Sequence, residues 1–250
     1  MAAAGIIATP LSSNADPPAS GGQPMSSAAS LLPAMDARGV PFSGTPAVGA
    51  LFATSDGALR SHFCSASVVD SPARDLLVTA AHCVTGPGSG SIAFVPGYDN
   101  GRIPHGVWRI TRVIVGQGWT SSADPDEDVA FLVTSGPVQD TTGGERLGVG
   151  LPAGHLVSVV GYPQGSNAPI RCDNPALAFS PADLEFDCGG YTDGTSGSPL
   201  LEDVSPSTGL GTVIGVIGGY EQGGYTPSVS YADRFGALVM DLYKTATAQP

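Results

Sequence analysis

At 250 residues the chain is long enough for one all-β domain or two small ones and for a sizeable core. Its formal charge of −12, from 10 Lys and Arg against 22 Asp and Glu, leaves no basic stripe that could neutralise nucleic-acid phosphates or anionic lipid, so neither is an expected partner. No run approaches 18 consecutive apolar residues, which excludes a membrane-spanning helix, and 35 glycines, 22 prolines and 13% charged residues favour short strands punctuated by turns.

Residues 2–11 are apolar and Ser12-Ser13-Asn14-Ala15 offers small residues for cleavage, though no Lys or Arg precedes the run; residues 1–15 read as a truncated signal peptide. Residues 16–41, with Pro17-Pro18 and Ser20-Gly21-Gly22, hold too little apolar surface to offset the entropy of ordering, and read as a flexible leader or propeptide. The folded domain is expected over 42–250. Short β-branched runs recur at 47–54, 62–69, 76–81, 91–95, 107–115, 129–134, 156–161 and 212–218, nearly all separated by Gly, Pro, Asp or Ser. Strands at this spacing without intervening amphipathic helices argue for antiparallel barrels or a sandwich and against a parallel α/β sheet. From Ala232 onward, Phe235, Leu238, Val239, Leu242 and Tyr243 share one helical face, which predicts a single helix at the end.

Cys64, Cys83, Cys172 and Cys188 form an even set with no CxxC and no Cys/His metal spacing, which fits two disulfides and an oxidising, extracellular compartment better than zinc. Three connectivities are formally open. Pairing sequence neighbours would close two loops of about 15 to 20 residues, each worth roughly 3 kcal/mol in the chain-entropy picture.

Three segments carry chemistry. Val78-Thr79-Ala80-Ala81-His82-Cys83 ends a strand of small and β-branched residues in a histidine beside a cysteine, a setting that His62, His105 and His155 lack. Asp128 opens Asp128-Val129-Ala130-Phe131-Leu132 and abuts an apolar strand, whereas Asp124, Asp126 and Glu127 lie in a Pro-containing acidic loop and are expected to stay solvated. Ser196 is the centre of Gly194-Thr195-Ser196-Gly197-Ser198-Pro199-Leu200. A serine hydroxyl becomes a strong nucleophile only when a base takes its proton, a neutral histidine suits that task, and a buried carboxylate holds the histidine tautomer.

Taken in this order, the three segments resemble the histidine, aspartate and serine motifs of chymotrypsin-like serine proteases, the last in its bacterial Gly-x-Ser-Gly-Ser-Pro form, and the resemblance covers roughly residues 42 to 243. It implies an all-β fold of two packed six-stranded antiparallel β-barrels, roughly 42–140 and 141–231, followed by the C-terminal helix. It implies a secreted, monomeric endopeptidase acting on polypeptides without a cofactor, with His82, Asp128 and Ser196 as its triad. The backbone N–H groups of Gly194 and Ser196 would form the oxyanion hole, since glycine permits the tight turn this requires. Phe63-Cys64-Ser65-Ala66-Ser67-Val68-Val69 looks like the strand whose cysteine bridges to the one after the histidine, which implies Cys64 to Cys83.

Thr195 stands where many family members carry an aspartate that pairs with a newly cut N-terminal amine, so here the catalytic loop is expected to be held by hydrogen bonds and a Cys172 to Cys188 bridge. Gly190, followed by Tyr191, occupies the position that is acidic in members cleaving after Arg or Lys, although Asp187 and Asp193 lie close by in sequence. Gly218, Gly219 and Tyr220 are expected in the pocket wall with Gly190 and Tyr191, and an apolar or aromatic preference follows. Glutamyl endopeptidases often carry a histidine on the 212–218 strand; its absence weakens that specificity as the alternative. A catalytically silent binding module is the competing function. An α/β-hydrolase esterase is disfavoured because it would want Gly-x-Ser-x-Gly and the order Ser, acid, His. The His and Cys spacing marks no metal site, while an oxygen-ligand calcium site in a loop such as 124–128 stays open.

Overall fold

The computed structural model describes residues 1–2, 36–86 and 91–248. All but the first two residues of the expected signal peptide and most of the expected leader lie outside them. The end of that leader is strand: β1 (Val40–Pro41) pairs with a second-barrel strand, Gly39 N–H donates to Gly189 O at 2.7 Å and Phe42 N–H to Pro169 O at 3.0 Å. Backbone pairing at a sheet edge needs no apolar side chains, so composition alone understates how much of this segment is ordered.

The first barrel is closed from β2 (Val48–Ser55), β3 (Ala58–Val68), β4 (Leu76–Thr79), β5 (Ile92–Pro96), β6 (Trp108–Val115) and β7 (Ala130–Thr134), in the order β2-β3-β4-β7-β6-β5. Its interior is filled by Leu51, Leu77, Phe94 and Leu132. A two-residue strand, β8 (Arg146–Leu147), lies in the connection to the second barrel. That barrel is built from β9 (Leu156–Gly161), β10 (Ile170–Ala178), β11 (Asp183–Asp187), β12 (Pro199–Glu202), β13 (Thr212–Ile217) and β14 (Val229–Arg234). The path β10-β11-β14-β13-β12-β9 closes where β9 pairs with β10, around Val159, Leu184, Phe186, Leu200 and Ile214. A further apolar cluster including Phe52, Tyr98, Phe131, Tyr162, Val216 and Phe235 joins the barrels.

The second barrel ends at Arg234, beyond the expected 231, and the helix starts later than its pattern predicted. Ala232 to Arg234 belong to β14, Phe235 N–H still donates to Ile214 O, and α4 runs over Ala237–Thr247. Leu238, counted on the apolar face, is exposed, while Val239, Leu242, Tyr243 and Ala246 form the face that packs against β6 and β7. Tyr243 donates to Asp70 O at 2.8 Å, so a helix following the second barrel fastens onto the first. Three short helices were not expected: α1 (His82–Thr85), α2 (Gln117–Ser122) and α3 (Gln139–Thr142).

Glu145 sits in the crossing between barrels with no exposed surface. Its N–H reaches Val68 O, its carbonyl accepts from Asp70 N–H, and Oε2 accepts from Gly211 N–H, leaving Oε1 without a partner. Burial, reinforced by Asp70, lifts its pKa from 4.5 to about 7 against the pull of Gly211 N–H and Arg146. A carboxyl whose pKa is raised on folding contributes stability that is full below about 4.5 and is lost as pH rises through about 7, on the order of 3 kcal/mol in all. Glu145→Gln keeps an acceptor for Gly211 N–H and cannot ionise. In urea unfolding it should match the parent near pH 4.5 and exceed it at pH 8; equal stability at both pH values would refute the buried-charge account.

Candidate active site

Small residues let the strand β4 bring its C-terminal end deep into the barrel junction: Ala80 and Ala81 have no exposed surface, and His82 follows as the first residue of α1. Asp128 arrives from the other side, as the residue that closes a 3-10 turn over Pro125–Glu127 just before β7. The two meet. Asp128 is fully buried and uses both oxygens on one residue: Oδ1 accepts from the His82 backbone N–H at 2.7 Å, and Oδ2 lies 2.6 Å from His82 Nδ1. Asp128 Oδ2 also accepts from Gly219 N–H at 3.0 Å. A carboxylate can only accept, so in the neutral ring Nδ1 carries the proton and Nε2 the lone pair.

The competing acids are occupied locally. Asp126 is exposed, Asp124 Oδ1 caps Asp126 N–H at 3.1 Å, and Glu127, half-buried rather than solvated, accepts from Gly118 N–H at 2.9 Å. Two of the other histidines have partners elsewhere: His62 is buried with Nε2 3.0 Å from Ser166 O, burial pulling its pKa down, and His155 sits 3.2 Å from Glu202. Cys64 and Cys83 are joined, as are Cys172 and Cys188. The first bridge places sulfur within 4.8 Å of the His82 ring, and as a disulfide it has no thiolate to offer a metal.

The loop carrying Ser196 is fastened by its carbonyls. Ser196 O accepts from Ser65 N–H at 2.8 Å, Gly194 O accepts from Ser65 Oγ at 3.0 Å, and the same Ser65 Oγ accepts from Tyr162 N–H. Gly197 N–H donates to Ile217 O at 2.7 Å. Thr195 N–H and Oγ1 both turn back to Thr192 O, at 3.0 and 2.7 Å. The N–H groups of Gly194 and Ser196 form no hydrogen bond among the described residues. Ser196 is half-buried, and its hydroxyl is not hydrogen-bonded to His82, a looseness common in unliganded sites.

Gly197 is required by contact as well as by conformation. Its φ is +79°, and a Cβ there would collide with Thr79 Oγ1 and Ser65 O at the end of β4 and on β3. Gly197→Ala should therefore push the serine loop off the first barrel, costing roughly 1 to 3 kcal/mol of stability and displacing Ser196. Unchanged thermal unfolding and unchanged turnover would contradict this.

Beside Ser196 opens a cleft of about 660 Å³ lined by Gln164, Tyr191, Thr192, Asp193, Ile217 and the segment Gln222 to Pro227. Of the five pocket residues expected from sequence, Tyr191 lines it, with its hydroxyl donated to Val159 O at 2.6 Å. Gly190, Gly218, Gly219 and Tyr220 do not. Gly190 N–H is used by Pro227 O. Gly218 lies against Asp128, where a Cβ would stand 3.0 Å from Oδ2, and Gly219, at φ +72°, turns the chain so that Tyr220 packs against Phe179 and edge-on against Tyr231. The roles of Gly219 and Ser65 in holding the site had no sequence signal, because each acts through a backbone group or a bridge to a residue distant in the chain.

A family model for the trypsin-like peptidase domain matches residues 64–216, more than half of the chain. The chain belongs to the trypsin-like peptidase family. Among its relatives is a glutamyl endopeptidase of Bacillus licheniformis, 29% identical over 140 residues, a match covering 53% of this chain and 44% of that protein. This member of the family also resembles the solved protease Anisep from Arthrobacter nicotinovorans, with a TM-score of 0.71 and 24% identity over 84% of this chain and 99% of that one. A thermostable serine protease, AL20, from an extremophilic microorganism gives a TM-score of 0.70 at 25% identity over 82% of this chain and 99% of its own. The two-barrel trypsin-like fold is thereby shared over most of the described chain.

Proposed function

We propose that the protein is a secreted serine endopeptidase that cuts polypeptides through an acyl-enzyme. The observation that carries this reading is the pairing of Asp128 with both the backbone and the ring of His82, which leaves Nε2 poised to accept a proton. Ser196 Oγ attacks the scissile carbonyl as its proton passes to His82 Nε2; the imidazolium formed is stabilised by Asp128 and returns that proton to the leaving amine. Water then repeats the sequence to release the acid. The unpartnered N–H groups of Gly194 and Ser196, whose carbonyls are held by Ser65, are suited to the oxyanion, each such donor being worth roughly 3 kcal/mol in the transition state.

For specificity, the cleft walls of Tyr191, Ile217, Tyr225 and Pro227 favour an uncharged apolar or aromatic side chain. Glutamyl specificity is supported by the Bacillus relative, but the β13 strand presents Ile217 to the cleft and Asp193, the one charged lining residue among those described, is itself acidic. Two disulfides support folding in an oxidising compartment, and no helix among the described residues is long and apolar enough to cross a membrane.

Labelling by a fluorophosphonate probe, with casein turnover in parallel, tests the chemistry. Labelling that is abolished by Ser196→Ala and accompanied by turnover is expected; no labelling of the correctly bridged protein would favour the silent binding module. A peptide-library profile dominated by Glu, Lys or Arg at the cleaved position would overturn the apolar preference.

A further inference from the structure

The peptide planes from Asp193 to Gly197 are each held by their carbonyl. Asp193 O accepts from Gln164 N–H at 2.6 Å, Gly194 O from Ser65 Oγ at 3.0 Å, Thr195 O from Ser198 N–H at 3.0 Å and Ser196 O from Ser65 N–H at 2.8 Å. In a trans peptide the carbonyl and the N–H point opposite ways, and the described residues contain no cis bond. The bond to Gln164 therefore turns Gly194 N–H away from Gln164, and the bond to Ser198 turns Ser196 N–H away from Ser198. These are the two N–H groups of the loop left without a partner.

Gly194 is the hinge of this arrangement. Its φ is +93°, and a Cβ there would stand 2.6 Å from both Gln164 N and Tyr162 O, so the loop lies flat against residues 162–164. Glycine has the freest backbone of any residue, and the planes on either side of it need separate anchors. The Asp193–Gly194 plane is anchored by the backbone of the second barrel. The Gly194–Thr195 plane is anchored by Thr195 N–H on Thr192 O, at 3.0 Å, and across the barrel junction by the side chain of Ser65.

Ser65 lies on β3 of the first barrel with no exposed surface, and every polar group it has is used. Besides the two bonds to the loop, its Oγ accepts from Tyr162 N–H at 3.0 Å, and its carbonyl accepts at 2.7 Å from Oγ1 of Thr79, three residues before His82. Removing the hydroxyl leaves Gly194 O and Tyr162 N–H unpaired in a buried place, which favours a rotation at Gly194 that finds the carbonyl another donor.

We propose that Ser65 is a positioning residue for the oxyanion hole: its hydroxyl, bridging Tyr162 N–H and Gly194 O, holds the loop in the arrangement that keeps the Gly194 and Ser196 N–H groups free for the oxyanion. This role rests on the serine-protease reading above and adds that a first-barrel side chain sets the geometry of donors carried by the second barrel. Ser65 is buried away from substrate, so its loss falls on the transition state, where charge develops on the carbonyl oxygen, and spares substrate binding.

The test measures kcat, KM and the inhibition constant of a peptide aldehyde for the parent, Ser65→Ala and Ser65→Thr, with active sites counted by fluorophosphonate titration so that only folded, competent molecules enter kcat. Ser196 Oγ bonds to the aldehyde carbon as its proton passes to His82, and the oxygen of the adduct occupies the hole. Ser65→Ala should lose about 10- to 100-fold in kcat with KM within about threefold, and the aldehyde should bind more weakly by the same factor. Ser65→Thr keeps the hydroxyl and should recover most of both. A kcat within about threefold of the parent in Ser65→Ala, or a lowered kcat with aldehyde affinity intact, overturns the role of Ser65 and leaves the serine protease standing. A parent that neither labels nor turns over removes the serine-protease reading, and the role of Ser65 with it. Should Ser65→Ala fail to fold, crystals of the parent with the aldehyde decide. An adduct oxygen about 3 Å from Gly194 N and Ser196 N, with Ser65 Oγ still on Gly194 O, supports the role, and a Gly194 carbonyl turned away from Ser65 refutes it.

Discussion

Replacing Ser196 by Ala should lower kcat by about 10⁶ with KM nearly unchanged, because in the proposed mechanism the substitution removes the nucleophile and little else. The loop is held by its backbone, through Ser65 N–H to Ser196 O, Ser65 Oγ to Gly194 O and Gly197 N–H to Ile217 O, and alanine at 196 retains each of these anchors. The cleft and the N–H groups of Gly194 and residue 196 survive, so substrate still binds and a residual acceleration of roughly 10³ over water persists. Steady-state kinetics on a chromogenic peptide, with thermal unfolding to verify an intact fold, measures this. Activity within about tenfold of the parent would remove Ser196 from the mechanism.

The second large effect is expected at Asp128. Asp128→Asn should reduce kcat by about 10⁴. Three N–H donors converge on the carboxylate: the His82 backbone and Gly219 backbone groups, and His82 Nδ1. An amide has one oxygen, so its NH₂ must face at least one of those donors. Flipping the ring tautomer relieves the conflict at Nδ1 but puts the proton on Nε2, where the proposed mechanism needs the lone pair to receive the proton of Ser196. A structural role alone would lower Tm and leave kcat in the surviving folded fraction unchanged; the mechanistic role predicts a folded protein whose loss lies in kcat. A reduction under tenfold in folded protein would show that Asp128 does not set the tautomer.

Much of this molecule was legible in one dimension. The eight strand runs read from sequence all coincide with strands, their ends shifted by a few residues, because alternating or continuous β-branched segments bounded by Gly and Pro have few other ways to bury themselves. The strands that escaped notice were β10, β11, β12 and β14 of the second barrel, besides the two-residue β1 and β8. β10 contains Pro175, which reads as a break, yet the adjacent Asn174 side chain donates to Asp187 O at 2.6 Å across to β11. β11 is flanked by acids, and β14 ends in the residues that begin the helical pattern. In each case the tertiary partner, not the local sequence, supplied the missing preference.

The site divides in the same way. The segments around His82, Asp128 and Ser196 were picked out by their resemblance to the family's motifs, and the folded chain brings His82 and Asp128 within 2.6 Å of each other. The pocket could not be read in this manner. Whether Gly218, Gly219 and Tyr220 face the substrate depends on how β13 leaves the barrel and on which groups Asp128 requires, and the folded chain gives those glycines to Asp128 and Tyr220 to an aromatic cluster. The same dependence hides the bond between Ser65 and Gly194, which lie 129 residues apart in sequence and meet only because the two barrels pack together. The sequence by itself determined the kinds of element and the chemical groups, since these follow from short-range patterns; only the tertiary structure decided which distant backbone groups and charges share a space, since that is set by the closure of the two barrels.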